Sequence, residues 1–144
     1  MSNVKEVDDR FKKFGTVSFT AITKTNDFID YLEKGAVMGS RCRGCGRPFF
    51  PPRADCHQCL AGNMEWFEVG GTGKLVTFSK LEYAPIGFQE DVPYCIALLD
   101  YGDYKIFGRI SGNLTEDDIR IGMDMKTVAN TLPNGQLNYV FEKV

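Results

Sequence analysis

Two short cysteine pairs, Cys42-Arg43-Gly44-Cys45 and Cys56-His57-Gln58-Cys59, stand ten residues apart and hold four of the five cysteines in this 144-residue chain. A Cys-x-x-Cys turn is tight enough to bring two thiolates to one ion, and two such turns complete a tetrahedral site whose leading occupant is zinc. Four thiolates close the coordination shell. With no position left for water or substrate, the metal would hold structure together, and any activity must be sought elsewhere.

The residues between and around the pairs suit two knuckles facing each other across a short hairpin. Gly44 and Gly46 supply backbone freedom, while Pro48, Pro51 and Pro52 stiffen the stretch from Arg47 to Arg53. Three rivals to zinc remain at this level. Two disulfides are one, although residues 1–14 are charged and lack the apolar run of a secretory leader, so a reducing cytoplasm is expected. Iron held by the same thiolates is the second, and a redox-active pair the third.

Four arginines (Arg41, Arg43, Arg47, Arg53) and a single acid, Asp55, lie within residues 40–60. A zinc ion with four thiolates carries a formal −2, which leaves the segment near +1, so the arginines either balance the metal or meet phosphate groups. His57 is the only histidine and lies inside a knuckle, which leaves little to activate a serine. No Gly-x-Ser-x-Gly is present. Gly70-Gly71-Thr72-Gly73-Lys74 departs from a phosphate loop at both ends, with Glu68 in place of the first glycine and Leu75 in place of the hydroxyl residue. Catalysis by this chain alone is not expected.

The elements that must position the thiolates follow from periodicity and turn signals. Val4, Val7, Phe11 and Phe14 recur at helical steps and predict a helix over 3–14, residues 16–23 alternate like an edge strand, and a second helix is expected from Asp27 to Lys34, ended by Gly35. After Cys59 the pattern is extended: strands are predicted over 73–83, 93–101, 104–111, Met123–Val128 and Gln136–Val144. Gly102-Asp103 and Asn134-Gly135 serve as turns, and Thr115-Glu116-Asp117-Asp118 caps one helical turn. Five strands with a helical turn between the third and fourth fit a Greek-key OB-type barrel. The expected fold is therefore mainly β, divided into an N-terminal helical segment (1–38), a zinc ribbon (39–69) and a five-stranded barrel (70–144). Cys95 fits the barrel as a small buried residue.

Net charge is −2, which argues against a general grip on nucleic acid, and there is no apolar stretch of bilayer length. An OB-type nucleic-acid binder is nonetheless the alternative from a different functional class.

Cys42-x-x-Cys45-Gly46, then Phe49-Phe50-Pro51-Pro52-Arg53, then Cys56-x-x-Cys59, then a barrel, is an order of parts that resembles the family known as domain of unknown function 35 (DUF35). Its members join a rubredoxin-like zinc ribbon to an OB-fold. The resemblance covers roughly residues 24–143; it is specific in the ribbon and generic over the barrel.

Members of that family are typically accessory subunits of acyl-CoA enzymes. The resemblance implies a non-catalytic, cytoplasmic, hetero-oligomeric subunit that stabilises an acyl-CoA enzyme and shapes its CoA entrance. A thiolase is the first expectation, for a branched or aromatic acyl-CoA as in anaerobic toluene breakdown. Hydratase or aldolase partners and hydroxymethylglutaryl-CoA synthase assemblies are alternatives. Structural Zn2+ on Cys42, Cys45, Cys56 and Cys59 is expected, with CoA or acyl-CoA at the partner interface. Arg43, Arg47, Phe49, Phe50, Arg53 and Lys80 are candidate ligand or partner contacts, the two phenylalanines being equally suited to the ribbon–barrel junction.

Overall fold

The computed structural model describes residues 7, 8, 10, 19, 20 and 24–144. Val7–Asp8 (β1) and Phe19–Thr20 (β2) pair antiparallel. The helix expected over 3–14 therefore does not run through positions 7 and 8, where cross-strand hydrogen bonding takes the backbone instead; apart from Arg10, the rest of that span lies outside the described residues. Of the edge strand expected over 16–23, only Phe19–Thr20 falls among the described residues.

Helix α1, Asp27–Glu33, buries Phe28, Ile29 and Leu32 on one face. Gly35 ends it at φ +90, a conformation that side-chain-bearing residues avoid. Arg10 reaches this helix, pairing with Asp30 at 2.8 Å and with Glu33.

The ribbon is a three-stranded antiparallel sheet. Met38–Cys42 (β3) lies centrally between Pro48–Phe49 (β4) and Met64–Glu68 (β5). Pro48 has no N–H to donate, and β4 is an edge, so the proline costs the sheet little. Gly39 is required by close approach: a Cβ there would stand 2.7 Å from the Phe49 carbonyl oxygen and 2.6 Å from the Phe67 ring.

The five following strands, Gly73–Leu81 (β6), Tyr94–Asp100 (β7), Lys105–Ile110 (β8), Asp124–Thr131 (β9) and Leu137–Lys143 (β10), close into a barrel of order β10-β8-β7-β6-β9. The β8–β10 contact is parallel and short, Val140 opposite Arg109 and Phe141 opposite Ile110; the other pairings are antiparallel. This is OB topology. Between β8 and β9, Glu116–Asp118 forms a single 3-10 turn in which Thr115 and Asp118 make a reciprocal capping box. Leu75, Leu99, Ile106, Met125 and Phe141 fill the interior at 0–1 % exposure.

Strand β6 departs from simple alternation. Its register with β7 shifts between Leu75 and Thr77, leaving Val76 as the extra residue, 43 % exposed. Leu75 and Phe78, three apart, then both face the core, because the bulge absorbs one residue and moves the inward face by one position.

Candidate metal centre and ribbon–barrel cleft

Both knuckles are built by the same backbone device. In the first, Cys42 N donates to Arg47 O at 3.0 Å and Gly46 N to Cys42 O at 2.8 Å; in the second, Cys56 N donates to Ala61 O at 3.0 Å and Leu60 N to Cys56 O at 2.8 Å. Each turn needs a left-handed residue after its second cysteine. Gly46 meets that need at φ +75, but the second knuckle uses Leu60 at φ +58, with its side chain 85 % exposed. A branched residue there costs about 1 kcal/mol relative to glycine.

The four Sγ atoms all lie within 4.8 Å of one another. Cys45 Sγ and Cys56 Sγ stand 3.7 Å apart. Tetrahedral zinc with bonds of about 2.3 Å spaces its sulfurs about 3.8 Å apart, so the donor set fits the ion. A disulfide requires about 2.0 Å. All five cysteines are free thiols. Cys42 and Cys56 are buried, Cys45 and Cys59 exposed, so the centre has an inner wall and an outer face.

The electrostatics favour a cation. Backbone N–H groups at Cys45, foremost, and at Gly44 point at the Cys42 sulfur and bring its thiol down to about 7. The Cys59 thiol is pushed up to about 12, first by its hydrogen bond with Cys45, then by desolvation and the neighbouring sulfurs. One sulfur is ready to ionise while its neighbour resists a second negative charge, and a divalent ion resolves that conflict.

The candidate contact residues do not converge on one site. Arg43 Nε lies 3.7 Å from Glu65, and Lys80 sits between Glu82 at 3.4 Å and Glu116 at 3.5 Å on the barrel. Phe49 is 9 % exposed, its ring flanked by the Arg53 guanidinium at 5.5 Å and by the edge of His57 at 5.5 Å. Phe50 lies in the junction, against Phe28 at 6.0 Å and Tyr139 at 5.3 Å. Arg47 and Arg53 make no ion pair among the described residues. Two adjoining hollows separate the ribbon from the β7–β8 turn and share Pro48 and Asp103: one of about 490 Å3 is lined by Arg41, Cys45 and Arg47, the other of about 300 Å3 by Arg53, His57, Tyr104 and Lys105.

Sequence reading missed Leu60, whose signal was its position matching Gly46. It also missed Tyr104 and Lys105, which reach the ribbon only through the β7–β8 turn. Cys95 is half-buried, and desolvation raises its thiol pKa, which disfavours the reactive anion.

Residues 30–65 match the rubredoxin-like zinc ribbon domain of ChsH2, and residues 66–130 match the C-terminal OB-fold domain of ChsH2. A DUF35 domain-containing scaffold protein of Methanocaldococcus jannaschii is 32 % identical over 100 residues, covering 67 % of this chain and 69 % of its own. The chain belongs to the DUF35 family. A DUF35 scaffold protein of Pyrococcus furiosus is 28 % identical, covering 71 % and 74 %. In fold, the chain is similar to one in a structure described as an Ltp2-ChsH2(DUF35) aldolase, at TM-score 0.68 and 22 % identity, covering 85 % of this chain and 97 % of that one. It is also similar to a DUF35 protein of unknown function from Sulfolobus solfataricus, at TM-score 0.52 and 21 % identity, covering 74 % and 77 %. Among the described residues, no helix is long and apolar enough to cross a membrane.

Proposed function

We propose that this DUF35 protein is a non-catalytic, zinc-stiffened accessory subunit of a cytoplasmic acyl-CoA-processing enzyme, with a thiolase as first partner. The observation that carries the reading is the closed four-thiolate set: it offers a metal no open position, yet it holds rigid an outer face that includes the exposed Leu60, Arg47 and Arg53. The division into a ribbon (39–69) and a barrel (70–144), hinged at Gly70-Gly71, is part of the same reading.

The hollows between ribbon and barrel supply what a CoA ester requires. Arg47, Arg53 and Lys105 are cations for phosphate, and Tyr104 and Phe49 are flat walls beside them. CoA or acyl-CoA is placed there, at the edge of the partner, with Arg43 and Lys80 contributing less because acids already neutralise them. An aromatic or branched acyl group, as in anaerobic toluene breakdown, remains the specific form of the proposal. The fold likeness to a chain of an Ltp2-ChsH2(DUF35) aldolase favours a second reading, in which the partner is an aldolase.

The test is recovery of the native complex through a tag on this chain, with assay of the complex and of the free chain on acyl-CoA thioesters. Acyl-CoA turnover is expected from the complex alone. Turnover at a full enzymatic rate by the isolated chain, or recovery of the chain without any acyl-CoA enzyme, would refute the accessory role.

A further inference from the structure

The barrel face that OB-folds commonly offer to ligands, formed here by β7, β8 and the loops 82–93 and 132–136, is built unlike a polyanion site. Among the described residues, the two cations that line its cavities are both neutralised. Arg109 pairs with Asp91 at 3.2 Å, the two side chains only 15 % and 13 % exposed, and Lys80 is held by Glu82 and Glu116. Glu90 adds a fourth acid, so the charged groups of the two cavities and the 82–93 loop sum to −2.

Two cavities meet at the Arg109–Tyr94 stack, where the guanidinium lies 4.1 Å from the ring centroid, and both are also lined by Asn138. The first, about 360 Å3, is apolar, walled by Leu81, Pro85, Phe88, Ile96 and Phe107. The second, about 590 Å3, is edged by Glu90 and Glu116 and reaches Asn130 and Thr115. The groove opens beside Asn138 because the β8–β10 pairing begins only at Val140 and Arg109.

The loop bordering the groove is held in place: Arg109 grips Asp91 and lies 5.8 Å from the Phe88 ring, while Phe88 N and Asp91 N donate to Pro85 O and Phe88 O at 3.0 Å each. Yet it exposes Tyr83 at 90 % and Ile86 at 71 %, and Phe107 across the groove is 59 % exposed. Large apolar side chains held outward beside an apolar cavity are a surface waiting for protein.

From this we infer that the barrel groove docks a polypeptide segment of the enzyme subunit in which a large apolar side chain is accompanied by a lysine or arginine. The apolar side chain enters the cavity between Pro85 and Phe107, beside the exposed Ile86, and the cation sits between Glu90 and Glu116, where the net negative charge of the described residues complements it. The inference rests on the accessory-subunit reading and names the surface that carries it. It also separates this barrel from oligonucleotide-binding relatives of the same topology, since a phosphate backbone would meet acids and two occupied cations.

The test uses the complex purified from the native source. In the wild-type complex, the backbone amides of 82–93 and 107–109 are expected to exchange hydrogen more slowly than in the free chain. Ile86→Asp combined with Phe107→Asp should weaken assembly about tenfold or more, and Glu90→Lys with Glu116→Lys should weaken it while reducing its salt dependence. Zinc content and melting temperature of the free variants check that they fold; should Ile86→Asp with Phe107→Asp fail to, the exchange measurement on the wild type decides alone. Unchanged exchange over 82–93 and 107–109, or assembly unaffected by either pair of substitutions, overturns the groove assignment while leaving the accessory role intact. Protection that grows with concentration of the free chain, or a cross-link from the groove to residues 1–23, places a second copy or the chain's own N-terminal segment there and overturns it too. If the wild-type chain brings down no acyl-CoA enzyme, the accessory role itself is lost.

Discussion

Tyr139 on β10 meets Phe50 of the ribbon edge to face, centroids 5.3 Å apart at 86°, and this contact joins metal unit to barrel. Phe28 of α1 closes the group, 6.0 Å from Phe50 and 6.4 Å from Tyr139, while the Tyr139 hydroxyl donates to the Phe107 carbonyl at 2.8 Å. Helix, ribbon and barrel thereby share one set of rings, which fixes how the zinc knuckles are presented.

Phe50→Ala should remove the central ring of that group. A loss of about 3 kcal/mol is expected from lost burial and the cavity left behind. Urea unfolding followed at the ribbon and at the barrel should then give two separated transitions. A single transition at the wild-type midpoint would show that the junction contributes nothing.

Cys42→Ser or Cys56→Ser removes a buried thiolate from the metal set. Metal binding contributes about 10–16 kcal/mol in small zinc peptides, so the ribbon should unfold while the barrel, with its own core, stays partly folded. Zinc analysis and circular dichroism measure this, and assembly with the partner should fail. One equivalent of zinc and full assembly in either variant would contradict it.

Zinc retention should depend on pH because the ion competes with protons for sulfur. The Cys59 thiol, pushed up to about 12, is protonated at neutral pH in the metal-free fold and must lose that proton on binding. Affinity is therefore expected to rise between pH 6 and pH 8, with release of protons, as read by chelator competition. In the metal-free chain the sign reverses: the raised Cys59 value contributes stability that is present below its ordinary 9.0 and lost as pH rises toward 12. Equal zinc affinity at both pH values would exclude proton competition.

Leu60→Gly tests why an exposed leucine sits in a left-handed turn. Glycine relieves the backbone cost, so zinc binding should survive and the melting temperature should change by no more than a few degrees. If Leu60 touches the partner, assembly should weaken by about tenfold while the metal remains. Undiminished assembly would remove Leu60 from the interface.

The metal set and the chain's local punctuation were legible in the sequence because each depends on a few neighbouring residues. Spacing alone places two thiols of a Cys-x-x-Cys turn on one ion, Gly102 and Gly135 take the positive φ their turns require, and Thr115 caps Asp118 three residues on. The order of strands and their closure as an OB barrel followed from those turns and the apolar runs between them. Tertiary structure alone decided the rest. The bulge at Val76, the parallel meeting of β8 with β10, the Phe50–Tyr139 junction and the burial of Arg109 against Asp91 each join residues whose pairing no local pattern records. Periodicity tells which side chains seek cover; which partner covers them is settled by packing the whole chain at once, since volume and charge must balance across elements far apart in sequence.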